Sequence, residues 1–340
     1  MRILILGANG FIGHSLTKRI LAETDWKVFA MDIGDDRIAE HLGHPRFQFL
    51  EGDIGINREW IEYHVKKCDV VLPLVAIATP REYVRNPLRV FEVDFEENLR
   101  IVRQAVRYGT RVVFPSTSEI YGMCGDAAFS EETSNFVLGP IQKQRWIYAC
   151  SKQLLDRVIY AYGEAGQLRY TLFRPFNWIG PNLDDISAAK EGSSRVVTQF
   201  LGHLMRGEPI RLVEGGAQRR CITDVRDGVE ALMRILRNEG GRVDGRILNI
   251  GNPRNDCSIA ELADLLIETL SGFERWREIR RTAVIEKVSA DEYYGRGYQD
   301  IWTRVPDIAN ARELLGWEPR YDLKDALHHM VEFYVDRASP

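Results

Sequence analysis

The chain has 340 residues, enough for one large domain or two modest ones with a substantial core. An apolar fraction of 45% with a charged fraction of 28% is that of an ordinary globular protein, which excludes fibrous and disordered classes. A net charge of −4 provides no overall basic field, so no nucleic acid and no membrane surface is expected as a partner, and any anion must be held by local groups.

Five cysteines, Cys68, Cys124, Cys150, Cys221 and Cys257, are scattered and never in C-x-x-C spacing. That fits reduced thiols in a cytoplasmic protein better than a disulfide frame or a zinc site. The histidines show no ligand spacing either, so no metal is expected. No run reaches transmembrane length, and glycines interrupt the apolar start before it could serve as a signal peptide.

The first predicted strand is RILILG (2–7). GANGFIG follows at once, with Gly7, Gly10 and Gly13 around Phe11 and Ile12, at the start of a helix predicted over 11–23. Gly7 permits a tight turn, Gly10 lets backbone amides approach a pyrophosphate, and Gly13 lets the helix pack close to the strand. The strand KVFAMD (27–32) ends on Asp32, 19 residues after Gly13. A carboxylate there accepts from a ribose 2′-hydroxyl and repels a 2′-phosphate, which favours NAD over NADP. The strand FQFLEGD (47–53) leads to Asp53 and Ile54. Asp53 either holds an adenine amino group or is a simple turn residue.

VVLPLVA (70–76) and RVVFPS (111–116) are further apolar runs, separated by a helix predicted over 83–108. The second run ends in hydroxyls, Ser116, Thr117 and Ser118, and then a lone acid, Glu119. A helix over 145–166 carries Tyr148 and Lys152, four apart and so on one face. A free tyrosine is a poor base at neutral pH. A nearby ammonium and a positive nicotinamide ring favour its phenolate and make it a workable general acid and base. YTLFRPF (170–176), a helix over 224–239 and RILNIGN (246–252) complete the alternation. Apolar runs without clean alternation, separated by helices, predict a doubly wound parallel α/β sheet.

After about residue 177 the loops become rich in Gly, Pro and Asn. Residues 1–177 plus about 224–252 are read as a dinucleotide-binding domain, and about 178–223 and 253–340 as a smaller lobe that binds substrate.

The glycine fingerprint, the hydroxyls closing the fifth strand and the later Tyr-x-x-x-Lys together resemble the extended short-chain dehydrogenase/reductase family. That resemblance implies a Rossmann-type fold, NAD as cofactor and a nucleotide-diphosphate sugar as substrate. It also implies a homodimer or higher oligomer, paired through helices 83–108 and 145–166, whose Phe91, Phe95, Tyr160 and Tyr162 exceed what one sheet face needs. Sugar dehydratases of the family carry an Asp-Glu pair after the fifth strand, whereas this chain has Ser118-Glu119. PSTSE followed by YGMC, with FEENLRI, LFRPFNW, NIGNP and YYGRGYQD, resembles the UDP-glucuronic acid decarboxylases found as one half of bifunctional polymyxin-resistance enzymes.

This closer resemblance implies oxidative decarboxylation of UDP-glucuronic acid to UDP-4-keto-pentose, CO₂ and NADH. Tyr148 and Lys152 would be the redox pair, and Thr117, Ser118 and Glu119 the active-site floor, with Arg304 as the catalytic arginine. Ala78, Tyr83, Arg145, Asn177, Tyr298 and the segment 211–220 would contact the substrate. Within that segment lies Arg211, and Arg219 and Arg220 would bind the diphosphate.

The sequence starts at Met1 directly before the first strand, so the reading allows a stand-alone enzyme or an excised domain. The alternatives are a UDP-xylose synthase that reuses its NADH, a UDP-apiose/xylose synthase, and an inactive nucleotide sensor. Apiose-forming enzymes place cysteines near the positions of Ala78 and Ser118, and sensors lose the Tyr or Lys; neither pattern is present.

Overall fold

The computed structural model describes residues 1–187, 194–295 and 298–338. Its first strand, β1 (Arg2–Leu6), buries Ile3, Leu4, Ile5 and Leu6 completely, as a central parallel strand must. Then come α1 (Phe11–Glu23), β2 (Lys27–Asp32), β3 (Phe47–Glu51), α2 (Arg58–Lys67) and β4 (Val70–Pro73). A helical run follows: α3 (Pro80–Arg85), α4 (Pro87–Phe91), a π-turn (Glu92–Glu97) and α5 (Asn98–Tyr108). β5 (Arg111–Pro115), α6 (Trp146–Glu164) and β6 (Tyr170–Pro175) complete this half.

The helix predicted over 83–108 is thus not one helix. It begins at Pro80 and breaks at Asn86, which has φ −130° and ψ 52°. Pro87 is the cause: it lacks an N–H to donate, and its ring disfavours helical geometry in the preceding residue.

The second half contains β7 (Trp178–Ile179), α7 (Val196–Arg206), β8 (Ile210–Val213), β9 (Arg219–Cys221), β10 (Thr223–Asp224) and α8 (Val225–Arg237). β11 (Arg246–Ile250), β12 (Asp256–Ser258), α9 (Ile259–Ser271), α10 (Ile279–Thr282) and β13 (Ile285–Val288) follow. The last elements are α11 (Ala290–Tyr294), β14 (Thr303–Arg304), α12 (Ala309–Leu315) and α13 (Leu323–Arg337).

Seven strands form one parallel sheet in the order β11-β6-β5-β4-β1-β2-β3. One apolar cluster packs α1 and α8 on it, and a second packs α2, α5 and α6. This is a Rossmann-type, doubly wound α/β fold. Strand order reverses between β1 and β4, and ligands of such sheets bind at the carboxyl ends of the strands beside that switch.

The remaining strands form small sheets: β10 with β7, β13 with β8, and β12-β9-β14. In the last, β14 runs parallel to β9 with Arg304 opposite Arg220. Among the described residues, no helix is long and apolar enough to cross a membrane.

Candidate active site

A cleft of about 390 Å³ opens at the carboxyl ends of β1, β4 and β5. The turn after β1 forms one wall. Gly7 has φ +91°, a left-handed geometry that favours glycine, and a Cβ on it would stand 3.0 Å from the backbone of Leu74 and Val75. A Cβ on Gly13 would lie 2.2 Å from the Gly7 carbonyl oxygen, so α1 can approach β1 only with glycine there. Gly10 caps α1, which has no acidic residue in its first turn, so its amides are open to an anion.

Asn9 ties this turn to the next strand. Its backbone N–H donates to Asp32 Oδ2 at 2.8 Å, and its side chain reaches Asp36 and the Arg37 amide. Burial raises the Asp32 carboxyl, and the amides of Ile33 and Asn9 partly offset that. A backbone cradle free of Cβ atoms, a helix N-terminus and a carboxylate at the end of β2 together fit the diphosphate and ribose of a dinucleotide.

The structure places Asp53 and Ile54 outside this lining. Asp53 accepts from the Gly55 amide at 2.7 Å, within a turn closed by Asn57. Ile54 packs into the core under α2.

The floor is built by β5 and α6. Pro115, Ser116, Thr117, Ser118 and Glu119 line it, as do Tyr148 and Lys152 from the first two turns of α6. The Tyr148 ring stacks on Tyr83 of α3, with centroids 4.7 Å apart and planes at 4°. The Thr117 hydroxyl faces the Tyr148 phenol and favours its ionised form.

Lys152 is not free to act on that phenol alone. Its ammonium lies 3.7 Å from Asp94 and donates to the Pro115 carbonyl at 3.2 Å. Burial holds the Tyr148 phenol well above its ordinary value, and Asp94 and Glu119 add to the rise. The activation expected from Lys152 is therefore opposed by two carboxylates.

Glu119 is gripped from both sides. Arg145 donates to Oε2 at 3.1 Å and Arg304 to Oε1 at 3.5 Å. Arg145 lies beneath the cleft, not in its lining, with its side chain 1% exposed. Burial works against its charge, yet Glu119, Tyr298 and Asp300 more than restore it. Arg220 pairs with Asp300 at 2.8 Å. Burial opposes the Asp300 charge, and Arg220, Arg145 and Arg304 together hold its carboxyl below the usual range. Burial and the neighbouring Arg220 push Arg304 down to about 10. Three arginines face two carboxylates here, which leaves room for one more anionic charge.

Of the other residues predicted from sequence, Ala78, Asn177, Arg211 and Tyr298 line the cleft. Asn177 has φ +42° and donates to the Cys221 carbonyl. Arg211 contacts Glu292 of α11, and Tyr298 stacks on Tyr294 at 3.9 Å between centroids. Arg219 is outside the lining. It pairs with Asp256 at 2.8 Å and Glu261 at 3.5 Å. Residues 296–297 of the YYGRGYQD segment lie outside the described residues.

Sequence reasoning missed Asp94, Asn98 and Arg195, while Gln218, within the expected segment 211–220, lines the cleft. Asp94 and Asn98 stand among other charged residues, Glu92, Glu96, Glu97 and Arg100, so nothing local set them apart. Among the described residues, no group of His, Cys, Asp and Glu gathers to hold a metal ion.

A crystal structure of the PbgP3 protein from Burkholderia pseudomallei is 55% identical, with a TM-score of 0.89, over 98% of this chain and 96% of that one. The fold is shared at lower identity with a UDP-glucuronic acid 4-epimerase from Bacillus cereus, solved with UDP-glucuronic acid and NAD (19% identity, TM-score 0.82, covering 99% and 100% of the two chains). A dTDP-glucose 4,6-dehydratase from Bacillus anthracis, solved with NAD, is 21% identical with a TM-score of 0.79, covering 99% and 97%. Residues 3–251 match the sequence model of the NAD dependent epimerase/dehydratase family, so the chain belongs to that family and NAD is its cofactor.

Proposed function

We propose that the protein is a UDP-glucuronic acid decarboxylase that releases UDP-4-keto-pentose, CO₂ and NADH. The observation that carries this is Glu119 held between Arg145 and Arg304, in one cleft with Tyr148. A dehydratase needs a second acid beside Glu119, and Ser118 stands there. The surplus arginine charge suits a substrate carboxylate.

The turn Gly7–Gly13 and Asp32 would hold NAD⁺, which when bound would supply the hydride acceptor for C4 of the glucuronosyl ring. Tyr148 takes the O4 proton, and Thr117 orients the phenol. The product of oxidation is a β-keto acid. Its C5–C6 bond breaks, CO₂ leaves, and the bonding pair moves into the enolate at O4. Arg304 orients the carboxylate before it departs, and Glu119 fixes Arg304 and relays the proton delivered to C5. The proton lost from O4 matches the one gained at C5, so the balance is UDP-glucuronate and NAD⁺ to UDP-4-keto-pentose, CO₂ and NADH. Arg220 and Asn177 hold the UDP portion. Asp32 favours NAD⁺ over NADP⁺ by repelling a 2′-phosphate.

The proposal includes a substrate lobe formed by about 178–223 and 253–340, and a homodimer paired through the helical run 80–108 and α6. On that face Leu88, Leu154 and Tyr160 are exposed.

The test is incubation with UDP-glucuronate and NAD⁺, following CO₂, NADH absorbance and the sugar product. Stoichiometric CO₂ and NADH are expected. UDP-xylose without NADH accumulation would assign a xylose synthase, and UDP-galacturonate without CO₂ an epimerase.

A further inference from the structure

Lys152 is one of the most enclosed charges in the protein, with its side chain 1% exposed. Burial depresses its basicity, and Asp94 and Asp156 oppose that. Asp156 is committed elsewhere: it accepts from Ser116 at 2.6 Å and pairs with Arg174 at 3.4 Å. Asp94 is fully buried, and no arginine is paired with it among the described ion pairs.

Asp94 lies in the π-turn between α4 and α5, a rare geometry that recurs at functional sites. Its Oδ2 accepts from the Ile77 amide at 2.9 Å, and its Oδ1 faces the Lys152 ammonium. One turn on, Asn98 donates to the carbonyls of Val75 and Val93. The acid and the amide thus clamp the segment after β4, whose Ala76 and Ala78 line the cleft.

We propose that Asp94 is a positioning residue, the counter-ion that keeps Lys152 charged beside Tyr148. This rests on Tyr148 being the base of the proposed reaction. The groups acting on Tyr148 are Asp94, Glu119, Thr117, Arg195 and the Tyr83 ring, with Lys152 one turn along the same helix. Removing the Asp94 charge has two opposed effects. It directly favours the phenolate, and it leaves Lys152 without an uncommitted counter-ion. A buried lysine so stranded loses its proton, with shifts of roughly 3–5 pKa units in fully buried sites. Only the second effect runs through Lys152, so removing the lysine separates the two. In support, burial raises the Asp94 carboxyl to about 6 against the opposing pull of Lys152 and the Ile77 amide.

The experiment is a cycle of pH profiles of NADH formation for the wild type, Asp94→Asn, Lys152→Met and the double variant. NAD⁺ affinity and melting temperature are measured on each. Asn keeps an acceptor for the Ile77 amide. Asp94→Asn is expected to move the acidic limb about one pH unit or more upward, with roughly a tenfold loss at pH 7. In the Lys152→Met background the same change should leave the limb in place or lower it. Asp94→Glu, which restores the charge, should return the limb toward wild type.

An unmoved or lowered limb in Asp94→Asn overturns the proposal. So does an equal upward shift with and without the lysine. Should Asp94→Asn fail to fold, Asp94→Glu decides: a wild-type limb supports the counter-ion, and a raised one overturns it. If the wild type reduces NAD⁺ with another UDP-sugar but not UDP-glucuronate, the proposed substrate fails, and the cycle is run on that sugar.

Discussion

The two sides of the cleft are built from different materials. The wall that fits a dinucleotide is mostly backbone: a left-handed Gly7, a helix start at Gly10 and a close approach at Gly13. The opposite side is made of side chains, with Glu119, Arg145, Arg220, Asp300 and Arg304 drawn from four separate stretches of chain. A backbone wall recognises what all members of such a family share. A side-chain cluster can be changed one residue at a time, so on the proposed reading substrate choice resides there.

Three substitutions sharpen that contrast, in order of expected effect. Arg304→Met should reduce CO₂ release by about 10²–10⁴-fold, the range for loss of a positioned polar group at a reacting centre. UDP-glucuronate affinity should change far less, and NAD⁺ affinity and melting temperature should stay close to wild type. Loss of fold together with loss of binding would instead make Arg304 a tie between β14 and the cleft floor. Normal turnover would remove it from the mechanism.

Gly13→Ala attacks the other wall. Its Cβ would meet the Gly7 carbonyl at 2.2 Å, so α1 must move away from the turn. A cost of about 1–3 kcal/mol in stability and at least a tenfold loss of NAD⁺ affinity are expected, read by thermal melting and fluorescence titration. UDP affinity should survive. Unchanged NAD⁺ binding would mean that the wall tolerates side chains and is not a backbone cradle.

Arg219→Ala should do least. Arg219 is 41% exposed and paired with Asp256 and Glu261 outside the lining, so turnover should stay within about twofold of wild type. A tenfold rise in KM would return it to the diphosphate.

That last case shows where sequence reading stops. Arg219 and Arg220 are adjacent, and both were expected on one ligand. They are consecutive residues of β9, and successive side chains of a strand point to opposite faces. A strand of three residues leaves no periodic trace in sequence, so nothing local marked which arginine turns inward. The long buried strands were legible because a sheet covered on both faces demands unbroken apolar runs, as in RILIL of β1 and RVVFP of β5. The glycine turn was legible because its parts lie within seven residues. Asp94 was not, since an acid in a helical stretch reads as solvent-facing until the lysine it meets, 58 positions on, is brought beside it. The break before Pro87 was written in the sequence, but the apolar pattern running through it masked the signal.

The pairing of Arg304 with Arg220 across β9 and β14 carries a consequence for the lifetime of the protein. Like charges placed opposite each other on a ladder repel. Asp300 and Glu119 offset that repulsion only in part, since Arg145 shares the same two carboxylates. The nucleotide sugar acid proposed as substrate would bring one more negative charge, and whatever binds only the folded state stabilises it by RT ln(1 + [L]/Kd). Protease resistance near residues 298–304 should therefore climb with ligand concentration and fall when it is withdrawn. The abundance of substrate would then govern how long each idle copy survives.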